Sequence, residues 1–532
     1  MLAQQNVNLK LREDLMRQRK SISFFLIVIV GALMALHFGI SDGTAKVEKG
    51  LFRGTIHWGI ASKWFDPSVT DLRAPGYFPL YMLHDALLKP MEGDMYAPCL
   101  AESWTWNDDY TQFEFKLRKG VKFHNGDEMT AEDVVFTFQR YKGGNAKLLR
   151  DRIDKLEAVN PYLFRITFKE PFLDFIDYLI PGFSTIAWIV PKKHIEKVGD
   201  EEYLKHPIGC GPYKFVEFRP GVKVVAEAFD QYWRKKPKVK RMEWLIVPEP
   251  STRYAMVKKG EVDLATLMTD VYYKKVQEDA NLRIVPGASS GWWTVILQNQ
   301  WNPDSPWSDV RVRKAASLAI DRQAVADIHA PGMGPAGSFG LPYDPNTLPR
   351  DPDPYDPEQA KKILAEAGYP DGFTAGIYYP YPGGYQEMSL QIANYWRAVG
   401  IEVKEVRMLD KQILLAKRRA GELAGTMFVD SNSFPTIASR LSYQLKPPAG
   451  LCKYEDINAL YEKYLDSVDP KERKDLLTEI QQLIYDKYMF IPVMQSVCPT
   501  ALGPRVKGDP LPIRKPYPVW FVAPMEDLEL NE

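Results

Sequence analysis

Residues able to do chemistry are scattered along this sequence, and the familiar catalytic spacings are few. There is no Gly-x-x-x-x-Gly-Lys phosphate loop, no His-Glu-x-x-His pair and no Cys-x-x-Cys pair, so neither a nucleotide loop nor a zinc site has an obvious ligand set. The seven histidines are dispersed, and His124 sits at a predicted strand end, where a turn or surface role is favoured over catalysis. We therefore expect no catalytic residues, no metal site and no cofactor, and we look for binding rather than turnover.

Aromatic residues are the most distinctive chemical feature of the chain. They make up 12% of it, with 13 Trp and 28 Tyr. Rings near strand ends or turns can line a cleft that buries a ligand with few fixed polar contacts, although plain core packing is the alternative for each of them. The candidates are Trp64, Trp292, Trp293, Tyr378, Tyr379, Tyr381 and Tyr385.

One carboxylate, Asp430, is placed where it could contact a ligand. It follows a short apolar strand predicted over residues 426–429. In a water-poor cleft it would pair with a ligand ammonium, where a charge-assisted hydrogen bond is strong. The alternative is a turn or a helix cap. Asn432, two residues further on, completes the candidate site.

The elements that must position these residues include a strand–helix–strand unit. Residues 373–379 are typical of a strand, 385–399 of a helix and 401–408 of a second strand. A crossover of this length predicts parallel neighbouring strands. Because ligands of open α/β sheets bind beyond the carboxyl ends of the strands, we expect a site near Tyr379 and Asp430, both predicted at such ends.

Several helix starts are marked by capping residues. Thr130 followed by Asp133 predicts a capping box. Asp356–Pro357 and Asp469–Pro470 each combine a cap with a proline at the first helical position. A hairpin is predicted over residues 213–226.

Length and charge limit the class of protein. A chain of 532 residues has room for two to four compact units, at roughly 100–200 residues per domain. Lys+Arg and Asp+Glu are 68 each. This balance lacks the strong basic bias of a nucleic-acid binder, so we expect no nucleic-acid partner.

The amino end predicts export. Residues 22–40 are almost wholly apolar, which suits either a signal-peptide core or a membrane span. Because positive residues before such a run stay in the cytoplasm, the rest of the chain should be extracytoplasmic or periplasmic, with 22–40 cleaved or kept as an inner-membrane anchor. The preceding basic residues are Lys10, Arg12, Arg17, Arg19 and Lys20.

Export exposes the cysteines to an oxidising compartment. Four of them allow three pairings, among which the sequence cannot choose. Free buried thiols are favoured. The four are Cys99, Cys210, Cys452 and Cys498.

Ordered sequence blocks resemble a known family. Residues 97–140 carry Ala-Pro-Cys-Leu-Ala-Glu-Ser-Trp, Val-Lys-Phe-His-Asn-Gly-Asp and Thr-Ala-Glu-Asp-Val; residues 209–213 read Gly-Cys-Gly-Pro-Tyr; 309–322 and 355–373 carry further blocks. Together they are similar to the extracellular solute-binding proteins of family 5, the peptide- and nickel-type binding proteins of ABC importers. The resemblance covers about residues 50–500.

This resemblance implies an α/β, two-lobed periplasmic-binding-protein-like fold with an extra subdomain in lobe one. After an N-terminal segment, 1–44, lobe one would take 45–288 with an inserted subdomain at about 88–205. Lobe two would take 289–492, and 493–532 would return to lobe one. Hinges would lie near 286–290 and 492–495.

The resemblance also gives Asp430 a role. It aligns with the aspartate that holds a peptide amino terminus in peptide-binding members. Dipeptide binders place an Arg for the ligand carboxylate near the segment that here spans 379–385, and no Arg stands there. This absence argues against a short peptide with a clamped carboxyl end and leaves a longer peptide, or another amine-bearing or aromatic-stacking solute, as the expected ligand.

The leading hypothesis is an exported solute-binding component of an ABC importer, not an enzyme. It would hold a peptide or other amine-bearing small solute between closing lobes, with Asp430 on the ligand cation and Trp293, Trp64, Trp292 and Tyr379 as walls. We expect a monomer that works with permease subunits and touches the membrane through its N-terminal segment if that is uncleaved. The alternatives are a membrane-anchored sensor or chaperone-like binding domain on the same fold, and an exported hydrolase.

Overall fold

The structure, a computed structural model, describes most of the chain after residue 47. The described residues are 48–69, 74–91, 94–143, 145–181, 184–285, 291–329, 335–338, 340, 344–380, 384–423, 425–433, 436–445, 452–496, 498–508 and 524–531. The predicted apolar segment 22–40, the first predicted hinge 286–290 and Tyr381 lie outside them. None of the helices within these ranges is long and apolar enough to span a bilayer.

The chain divides into two compact units, Met1–Glu48 and Lys49–Glu532. The second unit holds three sheets. Their strands are β1 Leu51–Ile56, β2 Ala101–Trp106, β3 Gln112–Leu117, β4 Ile153–Asn160, β5 Leu163–Phe168, β6 Tyr213–Arg219, β7 Lys223–Ala228, β8 Arg241–Ile246, β9 Leu264–Ala265, β10 Arg283–Val285, β11 Gly291–Leu297, β12 Phe373–Tyr379, β13 Ile401–Met408, β14 Thr426–Ser433, β15 Phe490–Ser496 and β16 Thr500–Leu502.

Helices cover these sheets. They are α1 Ala74–Leu83, α2 Ala131–Arg140, α3 Ala146–Arg152, α4 Lys192–Val198, α5 Asp200–Lys205, α6 Pro250–Lys258, α7 Asp270–Gln277, α8 Val310–Leu318, α9 Arg322–His329, α10 Pro357–Glu366, α11 Gly384–Arg397, α12 Lys411–Arg419, α13 Ile437–Leu445, α14 Glu455–Asp466 and α15 Pro470–Asp486. Short 3-10 helices lie at Ser62–Phe65, Leu173–Leu179, Thr185–Ala187, Pro306–Ser308 and Met525–Asp527.

A seven-stranded sheet, in the order β10-β16-β9-β1-β8-β7-β6, forms the seven-stranded lobe. Strand β1 runs parallel to both β8 and β9. Strand β16, near the end of the chain, pairs with β10 and β9 and so returns to this sheet. The predicted hairpin over 213–226 is confirmed as β6 and β7.

A five-stranded sheet, in the order β13-β12-β14-β11-β15, forms the five-stranded lobe. The predicted parallel unit is confirmed: Phe373 pairs with Ile401 in parallel register, and α11 connects the two strands. Helices cover both faces of the sheet, because Val295 packs into the core beneath α8, α10 and α11, whereas Ile296 packs into the core beneath α13, α14 and α15. The second predicted hinge, 492–495, lies within β15, and the predicted domain boundaries stay predictions.

A four-stranded antiparallel sheet, in the order β2-β3-β5-β4, forms the four-stranded subdomain. Its core is rich in phenylalanine, and Phe175 of the Leu173–Leu179 helix packs edge-on against Phe113 and Phe168. Because aromatic pairs prefer such tilted arrangements, this helix is fixed to the subdomain core.

The predicted caps are present. Thr130 and Asp133 form a capping box at the start of α2. Asp356 accepts a hydrogen bond from the backbone N–H of Gln359 at 2.8 Å, and Asp469 accepts one from Glu472 at 2.7 Å. Such caps satisfy backbone donors that the first helical turn leaves unpaired, so they can be found from local sequence.

Strand β14 is longer than predicted. The prediction ended it at Val429, which would place Asp430 at its carboxyl end, but the strand continues to Ser433. The reason is a long-range partner: β14 leaves its parallel neighbour β12 near Phe428 but stays paired with antiparallel β11 as far as Gly291 opposite Ser433. Asp430 therefore lies inside a strand rather than at its end.

The four cysteines are free and buried, as expected. Burial is the main reason that the pKa of each thiol is raised, to about 11 for Cys452 and Cys498. A raised pKa keeps a thiol protonated and unreactive.

Candidate functional site

The candidate site of the five-stranded lobe is one edge of its sheet. Strand β12 ends at Tyr379, β14 ends at Ser433, and β11 begins at Gly291 opposite Ser433. Because β12 and β14 are parallel and β11 is antiparallel to β14, these three ends lie at the same edge. The strand topology thus brings together the backbone positions of five of the six predicted site residues, all except Trp64.

An aromatic pair stands at this edge. The rings of Trp293 and Tyr385 lie 4.5 Å apart, centroid to centroid, at 61°. Both side chains are half-buried, and Tyr385 is in the first turn of α11, beside Gly384. Tyr379 is 6% exposed at the end of β12. Half-buried rings beside a strand end suit contact with a flat or apolar part of a ligand.

The opposite face of β11 carries a second arrangement. Trp292 is buried, and the guanidinium of Arg440 on α13 lies 4.5 Å from the centre of its ring. Arg440 also donates a hydrogen bond to the Thr294 hydroxyl at 3.3 Å. A cation over an indole is a favourable desolvated pair. Sequence reasoning searched for an Arg near 379–385 and missed this one.

The two predicted polar residues are placed by strand register. Asp430 is directly opposite Thr294, and Asn432 is directly opposite Trp292. The strand pair that carries both positions therefore runs beside Arg440. Whether Asp430 contacts a ligand stays a prediction.

Gln444 lies one turn beyond Arg440 on the same buried face of α13. It is wholly buried, and among the described residues neither its amide nitrogen nor its amide oxygen has a hydrogen-bond partner. A buried polar group without a partner costs about 1–3 kcal/mol. An ordered water bound to this amide would therefore be stabilised.

The seven-stranded lobe presents a corresponding edge. Strands β1, β8 and β9 are parallel neighbours, and their carboxyl ends are followed by His57, Val247 and Thr266. Arg253 ties two of these ends together. It is 1% exposed and donates to the backbone carbonyls of Thr266 at 2.9 Å and Val247 at 2.8 Å, and also to those of Pro248 and Leu267. Burial lowers the pKa of Arg253 to about 10, so it stays charged at neutral pH.

His57 and Trp58 extend from the end of β1 at this edge. Their rings form an edge-on pair with centroids 4.3 Å apart, and His57 Nδ1 lies 3.3 Å from the Thr266 hydroxyl. Burial first, and the charge of Arg253 second, hold the pKa of His57 well below its usual value, which keeps the ring neutral. Trp58 is half-buried, and no group in the described part of the chain accepts a hydrogen bond from its indole N–H. An apolar strand followed by His-Trp was the sequence signal for this pair.

Trp64 lies in the core of the seven-stranded lobe. It is 8% exposed and packs with Phe65 and Leu80 in the cluster that Trp58 also contacts. Tyr378 is on the opposite face of β12 from Tyr379 and donates to Glu405 at 2.9 Å. These contacts are those of packing and surface polar groups.

Two short glycine patterns that are known from enzymes also occur. Residues 287–291 (Gly-Ala-Ser-Ser-Gly) match the Gly-x-Ser-x-Gly pattern of a nucleophilic serine, and residues 332–337 (Gly-Met-Gly-Pro-Ala-Gly) match the Gly-x-Gly-x-x-Gly pattern of a dinucleotide site. The first requires a strand-to-helix turn, but here strand β11 follows it. The second requires a helix after its glycines, but Pro335 instead pairs with Met494 of β15. Nor is there, within the described ranges, any cluster of three His, Cys, Asp or Glu side chains suited to a metal.

The chain matches known proteins over most of its length. Residues 95–449 match the model of the bacterial extracellular solute-binding proteins, family 5. Heme-binding protein A of Haemophilus influenzae is 28% identical over 77% of this chain and 81% of its own length. The dipeptide-binding protein of Escherichia coli is 26% identical, over 78% and 84%. Glutathione-binding protein GsiB of Salmonella paratyphi A is 29% identical, over 77% and 82%.

Solved structures share the fold. NikA from Brucella suis, in complex with Fe(III)-EDTA, superposes with a TM-score of 0.79 at 21% identity, covering 90% of this chain and all of that one. The periplasmic binding protein DppA from Helicobacter pylori, in complex with the peptide STSA, superposes with a TM-score of 0.73 at 21% identity, covering 91% and 98%. The expected two-lobed architecture of periplasmic binding proteins is thereby confirmed.

Proposed function

Because the chain belongs to the bacterial extracellular solute-binding proteins of family 5, and is by that membership the substrate-binding component of an ABC importer, we propose that it binds a peptide or another amine-bearing small solute. The ligand would lie between the edge of the five-stranded sheet and the edge of the seven-stranded sheet. The lobes would close on it and present it to a permease. The family binds solutes and does not convert them, so the hydrolase alternative has no support.

The observation that carries this proposal is the chemistry of the strand ends in the two lobes. Both sets are the carboxyl ends of parallel strands, where α/β sheets bind ligands. The five-stranded lobe offers the Trp293–Tyr385 pair, with Asp430 and Arg440 on adjacent elements. The seven-stranded lobe offers Trp58 and a neutral His57. Aromatic walls with a few polar groups are typical of small-molecule sites.

The relatives restrict the choice of probes. Those described above are named for binding heme, dipeptides and glutathione. All three ligands carry carboxylates, but only the dipeptide and glutathione carry an ammonium. If Asp430 pairs with a ligand cation, replacing it should weaken the binding of the two ammonium-bearing ligands and not that of heme.

The experiment is Asp430→Asn tested by calorimetric titration with a dipeptide, glutathione and haem as probes, after mass spectrometry of small molecules that co-purify with the protein. Losing a charge-assisted hydrogen bond should weaken an ammonium-bearing probe at least about tenfold. Haem binding should be unchanged, and Asp475→Asn, a change on the exposed face of α15, should leave every probe unchanged. An ammonium-bearing probe that binds Asp430→Asn as tightly as the original protein would remove Asp430 from the site.

We also propose that residues 22–40 hold the protein to the outer face of the inner membrane. The support is the sequence alone: an apolar run of 19 residues after a basic segment, without an obvious cleavage site. The mass of the protein isolated from membranes tests this. A mature chain that begins after residue 40 would show that the segment is a cleaved signal peptide.

A sensor or chaperone-like role on the same fold is separated from import by genetics. Deleting the gene should abolish growth on the imported solute as sole nitrogen or carbon source. Normal uptake by the deletion strain would favour a sensor.

A further inference from the structure

The four-stranded subdomain touches the five-stranded lobe through polar contacts between side chains that are distinct from the candidate site residues. They involve two carboxylates of the Leu173–Leu179 helix, Asp174 and Asp177. Their partners across the interface are on α14, on α15 and just before α13. We define the interlobe clasp as Asp174, Asp177, Thr436, Tyr464 and Arg473.

The first half of the clasp is centred on Asp174. It forms an ion pair with Arg473 of α15 and accepts a hydrogen bond from the Tyr464 hydroxyl of α14 at 2.9 Å. Hydrogen bonds between ionised partners are about twice as strong as neutral ones. Both partners come from the five-stranded lobe, so this half is built wholly across the interface.

Arg473 is held in place by its own lobe. Its guanidinium lies 3.9 Å from the ring centre of Tyr464 and donates to the backbone carbonyls of Tyr464 at 2.7 Å and Ser467 at 3.0 Å. A charge positioned in this way loses little side-chain entropy when it meets Asp174. The five-stranded lobe therefore carries a preformed cation that matches a carboxylate of the subdomain.

The second half is centred on Asp177, which is buried. It accepts hydrogen bonds from the Tyr96 hydroxyl of the subdomain at 2.6 Å and from the Thr436 hydroxyl at 3.1 Å. Thr436 precedes α13 and also accepts from the backbone N–H of Ser439. Burial first, and the charge of Asp174 second, raise the pKa of Asp177 to about 7. Part of this burial comes from the five-stranded lobe.

Any hinge motion that separates the lobes enough to admit a ligand must break these contacts. We propose that the interlobe clasp sets ligand affinity from outside the cleft, by stabilising the closed arrangement. This inference rests on the proposed function, because it requires a closed and an open state. A contact made only in the closed state strengthens the binding of every ligand by the same factor, since affinity scales with the fraction of the competent state.

The experiment measures closure without a ligand. Nitroxide labels are attached at Lys197→Cys on α4 and Glu479→Cys on α15, in the full-length chain. Both side chains are exposed, whereas the four native thiols are buried. Distances between the labels are then measured by pulsed electron resonance. Because no ligand is added, a failure to find a transported solute would leave this measurement unaffected.

Asp174→Asn combined with Tyr464→Phe should reduce the ratio of short to long distances about tenfold, the effect of losing hydrogen bonds to a charged group. Tyr464→Phe keeps the ring beneath Arg473. The matched control is Asp151→Asn, which breaks the exposed Lys147–Asp151 pair within α3 and should change nothing.

Two further results test whether the interlobe clasp stabilises the closed arrangement. Thr436→Val alone, which removes one hydrogen bond to Asp177, should produce a smaller shift in the same direction. A distance distribution that is identical in the original protein and in the double variant, with both folded by circular dichroism, would overturn the proposal.

Discussion

Arg253 in the seven-stranded lobe and Arg440 in the five-stranded lobe are both 1% exposed, but their guanidinium groups meet different partners. Arg253 donates to four backbone carbonyls that follow β8 and β9. Arg440 instead lies over the ring of Trp292 and donates to a side-chain hydroxyl. The first arrangement fixes main chain at the strand ends, whereas the second joins a helix side chain to the ring and the hydroxyl of a neighbouring strand. The comparison predicts that the strand ends of the seven-stranded lobe depend more strongly on their arginine than the sheet edge of the five-stranded lobe does.

The largest expected effect is on Arg253. Arg253→Leu leaves four buried carbonyls without their donor and should lower the free energy of unfolding by about 4 kcal/mol, because each unsatisfied buried group costs about 1–3 kcal/mol. Urea titration measures this loss. Arg241→Leu, at a partly exposed position on β8, should cost less than about 0.5 kcal/mol. A loss from Arg253→Leu as small as that of the control would show that these strand ends are held by other contacts.

The second expected effect is a loss of stability at acid pH through His84. This residue is wholly buried between the seven-stranded lobe and the subdomain. Its two ring nitrogens lie 3.3 and 3.4 Å from the carbonyls of Phe65 and Ile189. Burial lowers the pKa of His84 to about 4, despite these carbonyls and the nearby Asp66. His124, whose pKa is lowered to about 3, also faces this site.

Because the folded pKa of His84 lies below its unfolded value, the unfolded chain binds more protons between about pH 6.5 and 4. Stability should therefore fall as the pH drops through that window, by at most about 3 kcal/mol from this group. His84→Gln should flatten the difference in unfolding free energy between pH 7 and pH 4.5. An equal slope in both proteins would show that His84 does not cause the loss.

A smaller effect is expected at Arg440. Arg440→Leu removes at least the contact with the Trp292 ring and the hydrogen bond to the Thr294 hydroxyl, which together should cost about 2 kcal/mol of unfolding free energy. The measurement is the same urea titration as for Arg253→Leu. A loss as large as that of Arg253→Leu would contradict the proposed difference, because it would mean that the two arginines contribute equally to the stability of their lobes.

The smallest effect is expected at Gln444. Because no group of the described residues bonds its amide, Gln444→Leu should change the free energy of unfolding by less than about 0.5 kcal/mol or increase it. Gln481 is the matched control: it is buried in the same lobe and bonds the backbone of Asn346, Leu348 and Leu477. Gln481→Leu should cost about 2 kcal/mol. If Gln444→Leu costs as much, its amide is satisfied by an ordered water.

Local signals in the sequence were reliable guides to the fold. The ends of β12 and β13 were predicted to the residue, and the caps at Thr130, Asp356 and Asp469 are present, because a cap and its partner lie within three residues of each other. Strand β14 was cut short because its last four residues pair only with β11, which is more than 130 positions earlier in the chain. No local pattern reports such a partner.

The candidate site was predicted only in part for the same reason. The strand pattern placed Tyr379 and Asp430 near one sheet edge, where the backbone positions of Trp293 and Asn432 also lie, but it put Asp430 at a strand end rather than inside β14. Arg440 was missed because its contacts with Trp292 and Thr294 span about 150 residues, although an Arg within the apolar stripe of α13 was a visible signal. Trp64 was chosen for its residue type, and that type alone does not distinguish a core ring from a cleft wall.

The position of β16 has a consequence for the order of assembly. Strand β10 pairs only with β16 in the described sheet, and β16 is formed by residues 500–502. Beyond it, Glu526 is fully buried against Lys89 at 3.3 Å and Arg234 at 2.7 Å. All strands of the five-stranded sheet, by contrast, lie between residues 291 and 496. A chain threaded across a membrane from its amino end would thus complete the later lobe first, and the earlier lobe would await the last residues to emerge.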